Sequence, residues 1–160
     1  IYVPEIEWHP EGITIDEDDH NVTSDRIKLS TGTFNIDELE ALLNSVPFDI
    51  TFVDKDDKVK FFSHGKQRIF ERSKAILGRQ VQFCHPPSSV HIVDKIIDDF
   101  KSGKEDAAKF WINFKGMFVH IAYYAIRNKN GEYLGTAEIT QDIAELKKTE
   151  GERRLLTYDK

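Results

Sequence analysis

The sequence predicts an α+β fold, and three observations lead to that prediction. Runs of β-branched and aromatic residues, typical of strands, occur in an early pair and a later group of three. Helical periodicity lies before the first pair and again between the two groups. Short turns join the strands within each group, most clearly at Asn130-Gly131, so the strands are expected to pair antiparallel. A doubly wound parallel sheet is therefore not expected.

The first helix has clear ends in the sequence. Asn35 and Glu38 form a capping-box pattern, apolar residues recur from Ile36 to Val46, and Pro47 ends the periodicity. The early strands are expected at 48–53 and 59–62, with an acidic turn at 54–57.

Short helical pieces are expected around 67–76, before Gly78. A longer helix is expected to start at Pro86-Pro87 and to end at Gly103. Strands at 107–114, 117–127 and 133–141 complete the sheet. A polar helix is expected from Ile143 onward.

Composition excludes several classes of function. The chain has 160 residues, 39% of them hydrophobic, and no run of 18 apolar residues that could span a bilayer. Residues 1–30 carry the whole net charge of −6, and the remainder is balanced, so no basic face for nucleic acid is expected. Cys84 is the single cysteine, which fits a reducing, cytoplasmic location. The N-terminus lacks a signal-peptide pattern, and we expect the chain to be a fragment of a longer protein.

Four stretches in the later part of the sequence resemble a PAS domain over residues 46–146. They are the hairpin ITFVDKDDKV at 50–59, the segment LGRQVQFCHP at 77–86, the hairpin YAIRNKNGEYLG at 124–135 and the step QDI at 141–143. The resemblance implies a five-stranded antiparallel sheet with helices on one face, a small cavity between them and a sensory role. Charge and composition predict an acidic linker at 1–30, and periodicity predicts a flanking helix at 31–47 and an exit helix at 143–160, with the PAS-like sensor domain at 48–142 between them.

The string RQVQFCHPPSSVHIV at 79–93 is similar to a prokaryotic family in which a PAS domain follows a hemerythrin-like cation-binding domain. This narrower resemblance implies that one partner of the PAS-like domain is a hemerythrin-like domain elsewhere in the same chain.

Five residues are candidates for the wall of the cavity: His64, Cys84, His85, His91 and Phe110. Cys84 and His85 suit zinc by ligand type, although their spacing matches no standard zinc motif, and His85 otherwise belongs to the His-Pro step that introduces the helix. Heme-binding members of the family carry an axial histidine on the helix that holds His91. Flavin-reactive members have a cysteine three residues after the Gly-Arg start, where this sequence has Val81. The ligand therefore stays open, with heme ahead of flavin and zinc.

The residues also bear on assembly and chemistry. The strand 117–127 is apolar on both faces, so one face needs a cover, and a homodimer would supply it.

Phosphate-cradling glycine motifs are absent from the sequence, and the side chains of adjacent residues such as Cys84 and His85 rarely face each other, so no enzyme is expected. We therefore expect a sensory module that binds a small ligand and signals by packing. The alternatives are a ligand-free scaffold for dimerisation or docking, and a metal-responsive site at Cys84 and His85.

Overall fold

A computed structural model describes residues 25–66, 68–156 and 158, so residues 1–24 of the expected acidic linker lie outside the described residues. The described elements in chain order are β1 (Ile27–Leu29), β2 (Gly32–Phe34), α1 (Ile36–Ser45), β3 (Asp49–Asp54), β4 (Val59–Phe62), two 3₁₀ turns (Lys74–Ile76 and Val81–Cys84), α2 (Val90–Lys101), β5 (Ala107–Phe114), β6 (Met117–Arg127), β7 (Tyr133–Asp142) and a third 3₁₀ turn (Leu146–Lys148). The α+β prediction is confirmed, because β4-β3-β7-β6-β5 form one antiparallel sheet.

A small hairpin of β1 and β2 precedes α1, where the sequence predicted a linker up to residue 30. Arg26 holds the hairpin to the helix: its Nε donates to Thr33 Oγ1 at 2.8 Å, and its guanidinium pairs with Glu38 at 3.0 Å. Residues 27–29 of the expected linker therefore form a strand, because this pairing supplies order that three residues of strand lack alone.

Helix α1 begins as the sequence predicts. The Asn35 side chain accepts from the Glu38 backbone N–H at 2.8 Å, and the Glu38 carboxylate accepts from the Asn35 N–H at 2.9 Å. This reciprocal pair satisfies two N–H groups that would otherwise lack partners at a helix start. Val46 is already extended, as expected for the residue before a proline.

Two predicted helices differ from the structure. Helix α2 begins at Val90 rather than at the prolines, because residues 86–89 form a separate turn in which Ser89 N–H donates to Pro86 O at 2.9 Å. The exit helix expected from Ile143 is reduced to the single turn Leu146–Lys148. Residues 145–156 are all exposed, and a short helix without a packed apolar face is marginal in water.

The strand register decides which side chains face α2. Tyr123 on β6 pairs with Glu138 on β7, and Glu138 pairs with Thr51 on β3. Directly opposed residues share a face, so these three side chains lie together on the inner face of the sheet. Phe110 on β5 pairs with Ile121 on β6 and therefore joins the same face.

The core lies between this inner face and α2. Ile97 and Phe100 of α2 are buried, as are Val53, Val59 and Val119 of the sheet. The spacing of α2 thus directs one stripe of the helix onto the strands. Among the described residues, no helix has the length and apolar character needed to cross a membrane.

Gly135 occupies a tight position at the start of the β7 pairing with β3. Its φ is +155°, and an added Cβ would collide with the backbone oxygen of Val53 and approach the Phe52 ring to 2.8 Å. A side chain there would push β7 away from β3.

We therefore expect Gly135→Ala to lower the free energy of unfolding by at least ~3 kcal/mol, measured by urea denaturation. Gly131→Ala is the matched control, because Gly131 also has a positive φ but open space around its Cα. The control should cost only about 1 kcal/mol. Equal losses in the two variants would contradict the steric explanation.

Candidate functional site

A cavity of about 210 Å³ lies between α2, the first two 3₁₀ turns and the inner face of the sheet. Its wall is formed by Thr51, Val59, Arg72, Ile76, Val81, Cys84, His85, Ser89, Ile92, Val93, Ile96, Ile97, Phe110, Ile121, Tyr123, Thr136 and Glu138. Most of this wall is aliphatic or aromatic, and the polar groups are few. A concave apolar site with a small number of converging polar groups is the usual form of a small-molecule site.

Two opposite walls supply the apolar surface. Val93, Ile96 and Ile97 recur at helical spacing along α2 and form one of them. Phe110 and Tyr123 belong to the sheet wall, where their rings meet edge to face with centroids 6.0 Å apart. The two aromatic rings thereby give this wall a fixed shape.

One ion pair forms the polar part of the cavity. The Arg72 guanidinium lies 3.2 Å from Glu138 Oε1, and the two side chains are only 18% and 12% exposed. Tyr123 is the cross-strand partner of Glu138 on the same face. Each of these two buried groups stabilises the other, because either one alone would be a buried charge without a counter-charge.

Arg72 reaches the cavity from an irregular segment that β3 holds in place. Arg68 donates to the backbone oxygens of Ser63 and Phe70, the latter at 3.1 Å. The buried Asp49 carboxylate accepts from the Ile69 N–H at 2.7 Å. These bonds fix the backbone that leads into Arg72 without any regular helix or strand.

Two further titratable groups of the cavity, His85 and Tyr123, are neutral at pH 7. Burial lowers the pKa of His85, an effect that the Glu138 charge opposes and the Arg72 charge reinforces. Burial, with the nearby Glu138 charge, raises the pKa of Tyr123, so the phenol keeps its proton. The polar set therefore consists of one balanced ion pair with a neutral imidazole and a neutral phenol beside it.

Arg72 has one donor that this arrangement does not use. Its Nε is buried and has no hydrogen-bond partner among the described residues. An unpaired buried donor costs about 1–3 kcal/mol, and more when the group is charged. The arrangement therefore carries a local energetic cost at this atom, which has almost no accessible surface.

Three of the five candidate residues lie at this cavity and two do not. Cys84, His85 and Phe110 belong to its wall. His91 is exposed and is not part of the wall, although the next residue along α2, Ile92, is. His64 is exposed beside the end of α1, where its backbone N–H donates to Asn44 Oδ1 at 2.8 Å. The structure therefore places His64 and His91 outside the wall of this cavity.

The comparisons with known proteins agree with this architecture. The sequence profile of the PAS domain family matches residues 39–144, which is more than half of the chain. The chain belongs to the PAS domain family. No curated protein matches the sequence.

Solved structures resemble this PAS domain to different degrees. The crystal structure of a C-terminal domain from Streptococcus mutans is 29% identical, with a TM-score of 0.72, and the match covers 76% of this chain and 94% of that one. A PAS domain from Colwellia psychrerythraea is 18% identical, with a TM-score of 0.49, and the match covers 68% of this chain and 96% of that one. The Streptococcus mutans structure supports the same fold over most of both chains.

The cofactors considered from the sequence fit this PAS domain poorly. Heme on an axial His91 does not fit, because that side chain lies outside the cavity, and the cavity volume is below the 300–1,000 Å³ typical of ligand sites for larger molecules. The same volume argues against flavin. Cys84 and His85 lie on one wall, and the described residues contain no group of three His, Cys, Asp or Glu side chains that could hold a metal.

Sequence reasoning missed the polar pair. Glu138 could not be placed from the Asn-Gly hairpin, because β6 and β7 shift register by one residue between Ile126 and Arg127, and such a shift changes the face that the following residues of β7 occupy. Arg72 offers no signal either, since it lies in a segment without periodicity. Its place follows only from tertiary contacts.

We expect the stability of the wild-type domain to fall as the pH decreases below about 6.5, where unfolded His85 takes up a proton. The folded state takes up this proton only at a lower pH, because burial lowers the pKa of His85. The stability that the neutral imidazole contributes is therefore complete above the unfolded pKa and is lost as the pH falls through the folded pKa. Urea denaturation between about pH 7.5 and about pH 5.5 should show a smaller decrease for His85→Asn. His91→Asn is the control and should follow the wild type; identical profiles for wild type and His85→Asn would contradict the argument.

Removing one member of the ion pair should be worse than removing both. We expect Glu138→Leu to lower the free energy of unfolding by about 2–3 kcal/mol, because Arg72 is left unpaired. Arg72→Leu/Glu138→Leu should recover to within about 1 kcal/mol of the wild type. Lys95→Leu, which breaks the exposed pair with Asp99, should change stability by less than ~0.5 kcal/mol. The idea fails if the double variant is no more stable than Glu138→Leu in urea titrations.

Proposed function

We propose that this PAS domain is a cytoplasmic sensory module that binds a small organic ligand in the cavity and signals by a change in packing. The observation that carries the proposal is the cavity of about 210 Å³, whose apolar walls converge on the Arg72–Glu138 pair. Such a site recognises a ligand by shape and by one polar contact. No covalent chemistry is part of this role.

The path to the output runs along β7. Glu138 contacts the cavity, and Asp142 ends the same strand four residues later. Asp142 Oδ1 accepts from the backbone N–H groups of Phe118 at 3.2 Å and Ala144 at 3.0 Å. A shift of β7 would therefore alter how the segment after residue 142 leaves the sheet.

The receiver of this signal is a second subunit or another domain of the same chain. The outer face of the sheet supports a homodimer, because Trp111 and Tyr124 there are 64% and 37% exposed. The Streptococcus mutans relative is a C-terminal domain of a longer protein, which supports signalling between domains. A hemerythrin-like partner domain, implied by the sequence resemblance alone, stays a prediction.

Ethylbenzene is a suitable probe for the first test, because it fills apolar space and brings no charge. NMR titration of the purified domain should show saturable shifts at the cavity residues. Hydrogen exchange should slow along β7 and in residues 143–148, since a bound ligand stabilises the folded state that holds it.

Val93→Phe fills the cavity from α2 and should abolish these effects. His91→Phe adds the same ring to the same helix outside the cavity and should bind ethylbenzene as the wild type does. If the wild type does not bind while sedimentation gives a dimer, the ligand-free scaffold replaces the proposal. Metal retained by the wild type and lost in Cys84→Ala would instead favour the metal-responsive site.

A further inference from the structure

We propose that two copies of this chain join their sheets edge to edge, with the two β5 strands antiparallel about a two-fold axis at Phe110. The inference rests on the proposed function in taking a second subunit as the receiver of the signal, and it names the surface that this subunit occupies. An unprotected edge, the direction of its backbone groups and the symmetry of its sequence support it.

Strand β5 forms one edge of the sheet and lacks the usual protection of edges. It is the last strand in the order β4-β3-β7-β6-β5, so its outer side has no partner strand among the described residues. β5 has eight residues, Lys109 is the single charged one, and the pairing with β6 runs without a register shift. Edges are usually blunted by short length, bulges, several charges or proline. This long, flat and apolar edge is therefore a template for another strand.

The opposite edge of the sheet is protected. Strand β4 has four residues, and its pairing with β3 shifts register between Phe52 and Val53. Such a shift bends and twists a strand, which hinders pairing with a further chain. We therefore expect the sheet to extend at β5 and not at β4.

The side chains at the edge formed by β5 are accessible. Phe110, Trp111 and Ile112 are 41%, 64% and 40% exposed. Successive residues of a strand alternate between its faces, so Phe110 and Ile112 lie on the inner face and Trp111 on the outer face. A partner strand would remove apolar surface from water on both sides of the sheet.

One hydrogen bond fixes the direction of the backbone groups of β5. The Ala125 N–H donates to Asp106 O at 2.9 Å, one residue before the strand begins. Bonded and non-bonded residues alternate along an antiparallel ladder, so the even-numbered residues of β5 bond β6. The N–H and C=O groups of the odd-numbered residues point away from β6. These outward residues are Ala107, Lys109, Trp111 and Asn113, and all four are exposed.

The outward residues are placed symmetrically about Phe110. An antiparallel copy with its axis there sets Ala107 opposite the partner's Asn113, and Lys109 opposite the partner's Trp111. Each outward residue thus meets another outward residue, and such pairs exchange both backbone hydrogen bonds. An axis at any other residue of β5 leaves at least one outward residue of the strand without an outward partner in the other strand.

Charge favours a second copy as the occupant of this edge. In the register about Phe110 no like charges face each other, because Lys109 lies opposite an indole ring, to which a cation is attracted. Glu105 before the strand comes opposite the partner's Lys115 after it, once at each end of the paired strands. The surface is thus complementary to itself, as a two-fold symmetric interface requires.

The axis also links the interface to the cavity. Phe110 is part of the cavity wall, and across the axis it faces the partner's Phe110. Opposed residues that exchange no backbone hydrogen bonds have Cα atoms about 4.5 Å apart, which brings the two rings into contact. Each copy thereby adds an aromatic ring to the rim of the other's cavity, and a ligand that displaces Phe110 acts directly on the dimer.

Amide hydrogen exchange on the full chain tests the pairing. At concentrations where sedimentation gives a dimer, the amides of Lys109, Trp111 and Asn113 should exchange at least about tenfold more slowly than in dilute monomer. The amides of Ala108 and Ile112 bond β6 in either state and are the internal control. Exchange at the outward amides that does not depend on concentration would overturn the pairing.

A proline at the edge tests the hydrogen bonds between the copies. Asn113→Pro removes an outward N–H in each copy and leaves the bonds to β6, so the dissociation constant of the dimer should rise at least about tenfold. Asn113→Ala keeps the N–H and should stay within about threefold of the wild type. Circular dichroism checks that Asn113→Pro is folded; if it is not, the exchange measurement on the wild type decides.

Cysteine crosslinking tests the position of the axis. In a Cys84→Ala background, Phe110→Cys should form a disulfide-linked dimer on mild oxidation, because the two Cα atoms lie within the range of a disulfide. Ile112→Cys is the matched control, since Ile112 shares the face and the exposure of Phe110. Its two copies lie about 14 Å apart along the paired strands. Equal crosslinking of the two variants would contradict an axis at Phe110.

The outcomes distinguish this inference from the proposed function. A wild type that stays monomeric would overturn the edge pairing and leave ligand binding in the cavity intact. The same holds for a dimer that is weakened by Tyr124→Lys on the outer face and not by Asn113→Pro. Ethylbenzene that fails to bind while Asn113→Pro breaks the dimer would overturn the ligand sensor and leave the pairing.

Discussion

Glu138 occupies an inward position of β7, between Thr51 and Tyr123, and its pairing with Arg72 is the interaction on which this half of the PAS domain depends. The register of the sheet leaves the carboxylate no other direction to face. Since a charge with so little access to water must be neutralised, the chain has to bring a cation to the same place. The cavity is the space that remains once α2 closes over this pair.

That requirement explains why an irregular segment is so firmly held. The described residues between Phe62 and Lys74, which are 63–66 and 68–73, form no helix or strand, yet Arg68 and Asp49 fix the backbone through a series of side-chain to backbone bonds. Side chains thus replace the hydrogen bonds that regular structure would provide. The position of Arg72, and with it the polarity of the cavity, rests on this arrangement.

The regular elements were predictable because their signals are local. The Asn35–Glu38 capping box and the hairpins are specified by residues close together in the sequence, and the family resemblance predicted that the strands join in one five-stranded antiparallel sheet. Three differences from the prediction have separate causes. A local turn at 86–89 delays the start of α2 to Val90, the Arg26 contacts order the hairpin at 27–34, and the exposed segment after β7 forms only the single turn at 146–148. At the site, the inward position of Glu138 depends on the register shift between β6 and β7, so it could not be predicted from the hairpin, and Arg72 could not be predicted either. The histidines attracted attention by chemical type, and only His85 of His64, His85 and His91 borders the cavity.

The two walls of the cavity come from different elements. Strand β7 and the irregular segment before the first 3₁₀ turn contribute the ion pair, and α2 contributes aliphatic side chains such as Val93 and Ile96. Exchanges among aliphatic residues of similar volume are well tolerated in protein interiors. Related chains could consequently diverge in the molecules they accept by altering the helix alone, while the strand that carries the response is inherited unchanged.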